Sequence, residues 1–143
     1  MIGVQPYLNF NGNCEDAIIF YKDVLGGELM FMQRYGDSPM KGMGNDNHVM
    51  HCTLKIGDSL IMASDNPEGQ PASVGSNISL AIGSNDAAGA NVMFEKMAEG
   101  GNVTMPMQET FWAERFGMLT DKFGVNWMFN CEKPHDTDKS AAA

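Results

Sequence analysis

Apolar and polar positions repeat with a helical period in two stretches of the chain and alternate with a period of two in several shorter ones. NCEDAIIFYKDVLGG sets Ala17, Ile18, Tyr21, Val24 and Leu25 on one helical face. Asn13 can cap that helix, Glu15 and Asp16 suit its positive end, and Gly26 and Gly27 end it. NDAAGANVMFEKMAEGG repeats the design, with Asp86 near its start, Ala90, Met93, Phe94, Met97 and Ala98 on one face, and Gly100 and Gly101 after it. Phe20, Lys22, Gly26 and Gly27 match Phe94, Lys96, Gly100 and Gly101 at a constant offset of 74 residues.

Strand-like alternation surrounds both helices in the same order. VQPYLNF precedes the first helix and SNISLAI the second; ELMFMQRY, HVMHCTLKI and SLIMASD follow the first, and NVTMPMQ, RFGMLTD and VNWMFNC follow the second. The pattern predicts two copies of β-α-β-β-β. Residues 36–47, rich in glycine, proline and polar side chains, read as a long loop inside the first copy, and 66–76 as the link between copies. These boundaries predict one domain over residues 1–132, made of modules 1–67 and 75–132. The polar, patternless end of the chain, residues 133–143, is expected to be disordered.

Composition narrows the choice of partners. At 143 residues the chain is one domain's worth, able to bury a core without disulfides or a structural metal. Eighteen acids against nine bases give a net charge of -9, which repels phosphate backbones and anionic membrane surfaces and argues against nucleic acid as a partner. No apolar run approaches the roughly 20 residues needed to span a bilayer, and the N-terminus lacks the regions of a signal peptide. A cytoplasmic protein without a membrane partner is expected. Cys14, Cys52 and Cys131 are odd in number and widely spaced, which fits reduced structural thiols. The thirteen methionines suit core filling and adaptable apolar linings.

PYLNF, a helix ending in FYKDVLGG, the HCTLKIGDSLIMASD hairpin and QETFWAERFGMLTDKFGVNWMF together resemble the glyoxalase/bleomycin-resistance/dioxygenase, or vicinal-oxygen-chelate, superfamily. Within it they resemble the PhnB-like branch, often labelled 3-demethylubiquinone methyltransferase-like, from residue 2 to about residue 132. The resemblance implies an α+β fold: two tandem βαβββ modules forming curved sheets around a cleft, with helices on the convex side, in a homodimer. No glycine-rich loop follows a strand and opens a helix, so the residues lend the methyltransferase label no support.

Alternation then selects the side chains that would face such a cleft. In HVMHCTLKI, Met50, Cys52, Leu54 and Ile56 should meet the helix, leaving Val49, His51, Thr53 and Lys55 on the other face. A two-residue turn at Gly57-Asp58 would set Thr53 opposite Met62 and His51 opposite Ser64. Gln5, Tyr7 and Asn9 are the inward residues of the first strand, or Pro6 and Leu8 if its register slips by one. Asn77, Ser79 and Ala81 take those places in the second module, with Ile78, Leu80 and Ile82 buried; Met128 and Asn130 face inward beside structural Trp127 and Phe129. QETFWAERFG leads from one strand to the next at the mouth. Phe111 and Trp112 could wall an apolar pocket, Gln108, Thr110 and Glu114 could add hydrogen bonds, and Arg115 offers a planar fork if Asn130 lies opposite it.

Metal-using members of the superfamily carry His or Glu at four cleft positions, which the resemblance maps to Gln5 (or Pro6), His51, Asn77 and Met128. Only His51 is a strong ligand, so no cofactor is expected, and any divalent metal would rest on His51. His51 is also the candidate general base, with a structural hydrogen bond to Ser64 as its alternative. His48, at the end of the polar loop, reads as solvated. Three functions follow. The first is a protein that binds a small, partly apolar molecule in the cleft, metal-free or weakly metal-dependent. The others are a metal-dependent lyase, isomerase or dioxygenase, and a bleomycin-resistance-type protein that sequesters a cationic drug.

Overall fold

The computed structural model describes residues 2–133, so nearly all of the tail expected to be disordered lies outside the described residues. The chain divides into two compact units, residues 1–73 and 74–143. The first unit runs β1 (Tyr7–Phe10), α1 (Cys14–Leu25), β2 (Glu28–Arg34), a single 3-10 turn (Tyr35–Asp37), β3 (Val49–Ile56) and β4 (Ser59–Asp65). The second runs β5 (Leu80–Ser84), α2 (Ala87–Ala98), β6 (Asn102–Gln108), β7 (Ala113–Thr120) and β8 (Asn126–Glu132). Each forms a mixed four-stranded sheet, ordered β1-β4-β3-β2 and β5-β8-β7-β6, with the first strand parallel to the last and the other pairs antiparallel. This is the α+β architecture of two tandem βαβββ modules.

The helices form where the apolar spacing places them, but the first is capped from elsewhere. α1 buries Cys14, Ala17, Ile18, Tyr21 and Leu25, and the larger of these contribute roughly 1.5–3 kcal/mol each on burial. Asn13 stands at the N-cap and its side chain makes no capping bond. The buried Asp65, at the end of β4, does the work instead. Its Oδ1 accepts from Gly12 N at 2.7 Å and Cys14 N at 3.0 Å, and its Oδ2 from Val49 N at 2.9 Å. In α2 the local signal holds, and Asp86 accepts from Gly89 N at 3.0 Å.

The matched glycines have matched duties. Gly26 and Gly100 follow their helices with φ of 75° and 74°, a left-handed conformation that costs a residue without Cβ little. A Cβ on Gly27 would stand 2.9 Å from the carbonyl oxygen of Lys55, and one on Gly101 would run into that of Thr120. Backbone therefore packs on backbone at the same point of both repeats.

Both first strands are shorter than alternation predicts. β1 begins at Tyr7 and β5 at Leu80, so Gln5 and Asn77 precede their strands and are exposed. Ile78, expected in the buried set, is 70% exposed. The cause lies in β8, where Asn126 Nδ2 donates to the carbonyls of Gly75 (2.7 Å) and Ile78 (3.0 Å) and holds this approach segment as loop. Val49, expected on the face of His51, is buried: the ladder pairs Gln33 with His51 and Arg34 with Val49, skipping Met50, and this bulge resets the alternation.

Candidate functional site

In the first unit one row of side chains crosses all four strands. Tyr7 pairs with Met62, Met62 with Thr53 and Thr53 with Phe31. Cys52, Leu54, Ile61 and Ala63, the alternate positions of β3 and β4, are buried, and Cys52 meets Cys14 of α1, so the row lies on the face away from the helix. Tyr7, rather than Leu8, shares that face. His51, two residues before Thr53, sits beside the row at the centre of a small polar and aromatic group. Its Nδ1 lies 3.0 Å from the Tyr7 hydroxyl and its Nε2 lies 3.4 Å from Thr53 Oγ1. The Tyr7 and Phe31 rings flank it, with centroids 5.6 and 6.0 Å away. Tyr7 is 43% and Phe31 48% exposed, so this face presents aromatic surface and a hydroxyl to solvent.

The expected contact between His51 and Ser64 is replaced by these bonds. The β3–β4 ladder does pair Thr53 with Met62, but its last pair is Cys52 with Ala63, and Ser64 is buried opposite Asn9 of β1. His51 pairs across the sheet with Gln33 instead.

The second unit carries the same row with different chemistry. Ala81, Met128, Met118 and Met105 occupy the row from β5 to β6, and Phe116 takes the place that His51 holds in the first unit, paired with Gln108 and Asn130. Gly117 and Phe129, the alternate positions, pack toward Phe94 of α2, which places the methionines on the opposite face. Asn130 Oδ1 is buried with no hydrogen-bond partner among the described residues.

QETFWAERFG spans the end of β6, the turn and the first half of β7. Phe111, Trp112 and Phe116 stack edge to face, with centroids 4.8 and 5.3 Å apart along the chain of rings, and Phe111 is 89% exposed. Thr110 closes the turn, its Oγ1 accepting from Ala113 N. Arg115 stands one place from the register that would put it opposite Asn130. β7 skips Glu114, so Arg115 pairs with the buried Cys131 and Phe116 pairs with Asn130. The Arg115 guanidinium donates to the carbonyl of Glu114 at 3.1 Å. Gln108 and Met128 therefore lie on the face of Phe116, while Asn77, Glu114 and Arg115 lie off it; in the first unit Gln5 precedes β1.

This donor set suits a divalent metal poorly. Both ring nitrogens of His51 are engaged by hydroxyls, Gln5 and Asn77 precede the strands that would aim them, and Met128 offers only a thioether. Among the described residues no group of three or more His, Cys, Asp or Glu side chains is placed to hold an ion. His48 is half-buried rather than fully solvated. It lines a separate cavity of about 370 Å³ in the first unit, with Asn45, Asn66 and Glu68 from the surrounding loops.

Comparison with known proteins agrees with this architecture. Residues 3–129 match the model of the family described as 3-demethylubiquinone-9 3-methyltransferase. The chain belongs to that family. It is 37% identical to the protein YjdN of Escherichia coli (strain K12), over 94% of this chain and 98% of that protein. It is 42% identical to the protein PA1353 of Pseudomonas aeruginosa, whose crystal structure matches with a TM-score of 0.86 over 94% of this chain and all of that one. A PhnB protein of Bacillus cereus, described as a putative 3-demethylubiquinone-9 3-methyltransferase, is 25% identical, with a TM-score of 0.79 over 90% of this chain and 98% of its own. A glyoxylase/bleomycin resistance protein/dioxygenase domain from Frankia shares the fold at 13% identity, with a TM-score of 0.66 over 93% and 99% of the two chains. In this member of the methyltransferase-named family, the turns that open α1 and α2 read FNGN and SND. A single glycine there makes no phosphate-cradling loop.

Sequence reasoning found His51, Tyr7, Met62 and Met128 but missed Phe31, Met105, Met118 and Phe116 as parts of these faces. The run LMFM has no alternation to read, and β2 skips Met30 between its pairs Leu29–Leu54 and Phe31–Thr53. The aromatic run TFWAERF did mark its neighbourhood; the bulge at Glu114 hid which residue faces which side.

Proposed function

We propose that this protein binds a small, partly apolar molecule on the face of the first unit's sheet that is turned away from its helix, without a tightly held metal. The observation that carries the reading is the 3.0 Å contact between the Tyr7 hydroxyl and His51 Nδ1 on an aromatic face that is half open to solvent. Because both nitrogens of His51 are engaged, Tyr7 is the group that meets a ligand and His51 orients its hydroxyl. The pair can move a proton between Tyr7 Oη and His51 Nδ1, the elementary step of general acid–base chemistry. Phe31 and Met62 supply apolar surface beside the pair, and the second unit's own face, with Met105, Met118, Met128 and Phe116, is apolar as well. The reading includes a homodimer in the cytoplasm, supported by the family resemblance and by three unlinked cysteines.

Screening small aromatic alcohols, amides and acids by ligand-observed NMR tests this reading. Tyr7→Phe should weaken the best hit roughly tenfold, the worth of about one hydrogen bond, and leave thermal stability unchanged because Tyr7 is at the surface. Hits that bind Tyr7→Phe and His51→Ala as well as the parent would place the ligand elsewhere.

A further inference from the structure

Cys14 opens α1 and Cys52 stands in the middle of β3, and both are wholly buried. Their sulfurs lie 3.8 Å apart as free thiols. A disulfide needs about 2.05 Å between sulfurs, so the two are within roughly 2 Å of bonding distance. The bonds from Gly12 N and Cys14 N to Asp65 hold the start of the helix over the sheet and keep the sulfurs adjacent. Nothing comparable exists at Cys131, which is buried in the second unit without another cysteine in that unit.

We propose that Cys14 and Cys52 form a redox modification site, where a small peroxide-class oxidant converts the dithiol to an intramolecular disulfide tying α1 to β3. The Cys52 sulfur attacks one peroxide oxygen; the O–O bond breaks, one water leaves and Cys52 becomes a sulfenic acid. The Cys14 sulfur then attacks the Cys52 sulfur, forming the S–S bond and releasing the second water with the Cys14 proton. Two thiols lose two electrons and two protons, and hydrogen peroxide becomes two waters. The hydrogen bond between the thiols, and then burial, hold Cys14 well above the usual thiol range, while the same hydrogen bond lowers Cys52. The direction of these shifts favours Cys52 as the attacking sulfur. Complete burial of both sulfurs selects a small oxidant over a bulky one such as glutathione disulfide.

The test treats the native full-length chain with a modest excess of hydrogen peroxide, alkylates the remaining thiols in denaturant and maps the unreduced peptides by mass spectrometry. The expected product links the Cys14 and Cys52 peptides within one chain, lowers the free thiols from three to one, and reverts with dithiothreitol. Cys14→Ser and Cys14→Ala should each abolish the link and Cys131→Ser should retain it. If the Cys14 variants fail to fold, the parent and Cys131→Ser maps decide alone. Three surviving thiols, over-oxidation without a link, a link through Cys131 or to a second chain, or a link formed only in urea would each overturn the proposal.

Discussion

At the scale of single residues, the side chains with most influence are polar groups that hold backbone. Asp65 is 1% exposed and its carboxylate satisfies three N–H groups, two at the start of α1 and one at the start of β3. Asp65→Ala would leave those donors buried and unpaired, and should lower unfolding free energy in urea by roughly 3–5 kcal/mol. Asn13→Ala, the change a cap read from sequence would single out, should cost only a few tenths of a kcal/mol, because its side chain caps nothing. The sequence could not reveal this exchange, since Asp65 reaches the helix from 51 residues away through the fold. Trp127 shows the opposite case. Its burial was legible from period two alone, and its indole N–H reaches Asp121 at 2.8 Å.

At the scale of elements, what was legible depended on how local the cause is. The helix ends at Gly26 and Gly100 follow from a backbone conformation that glycine tolerates, and the Gly57-Asp58 turn fixes the pairing of Thr53 with Met62 through geometry within nine residues. The starts of β1 and β5 and the bulges at Met30, Met50 and Glu114 depend on partner strands and were not legible. One contact between elements carries a pH signature. Arg34 of β2 makes a bidentate pair with Glu15 of α1, at 3.0 and 2.7 Å, and also donates to the carbonyl of Asn47. The guanidinium holds the Glu15 carboxyl below its usual range. A folded-state value depressed in this way adds stability above the ordinary carboxylate range, and that stability is lost as pH falls through the folded value. Because the side chains are 35% and 41% exposed, the loss should stay below about 1 kcal/mol. Urea unfolding at about pH 7 and about pH 3 should show that increment in the parent and not in Glu15→Gln.

At the scale of the whole molecule, duplication with divergence organises the chemistry. Tyr7, Met62, Thr53, Phe31 and His51 in one unit correspond in strand position to Ala81, Met128, Met118, Met105 and Phe116 in the other. One face keeps hydroxyls and an imidazole; its counterpart is thioether and aromatic, a surface that adapts to the shape of an apolar group. Light scattering should report twice the 15.6 kDa chain mass if the homodimer included in the proposed function forms. In the proposed function Tyr7 and His51 form a ligand-binding pair rather than part of a metal site. Its most direct test is NMR of the histidine rings while the best aromatic hit, and separately zinc, is titrated into the protein. The aromatic ligand should shift the His51 resonances in the parent and not in Tyr7→Phe, while zinc should leave them in place. Stoichiometric zinc binding at His51 that releases the Tyr7 hydroxyl would contradict it.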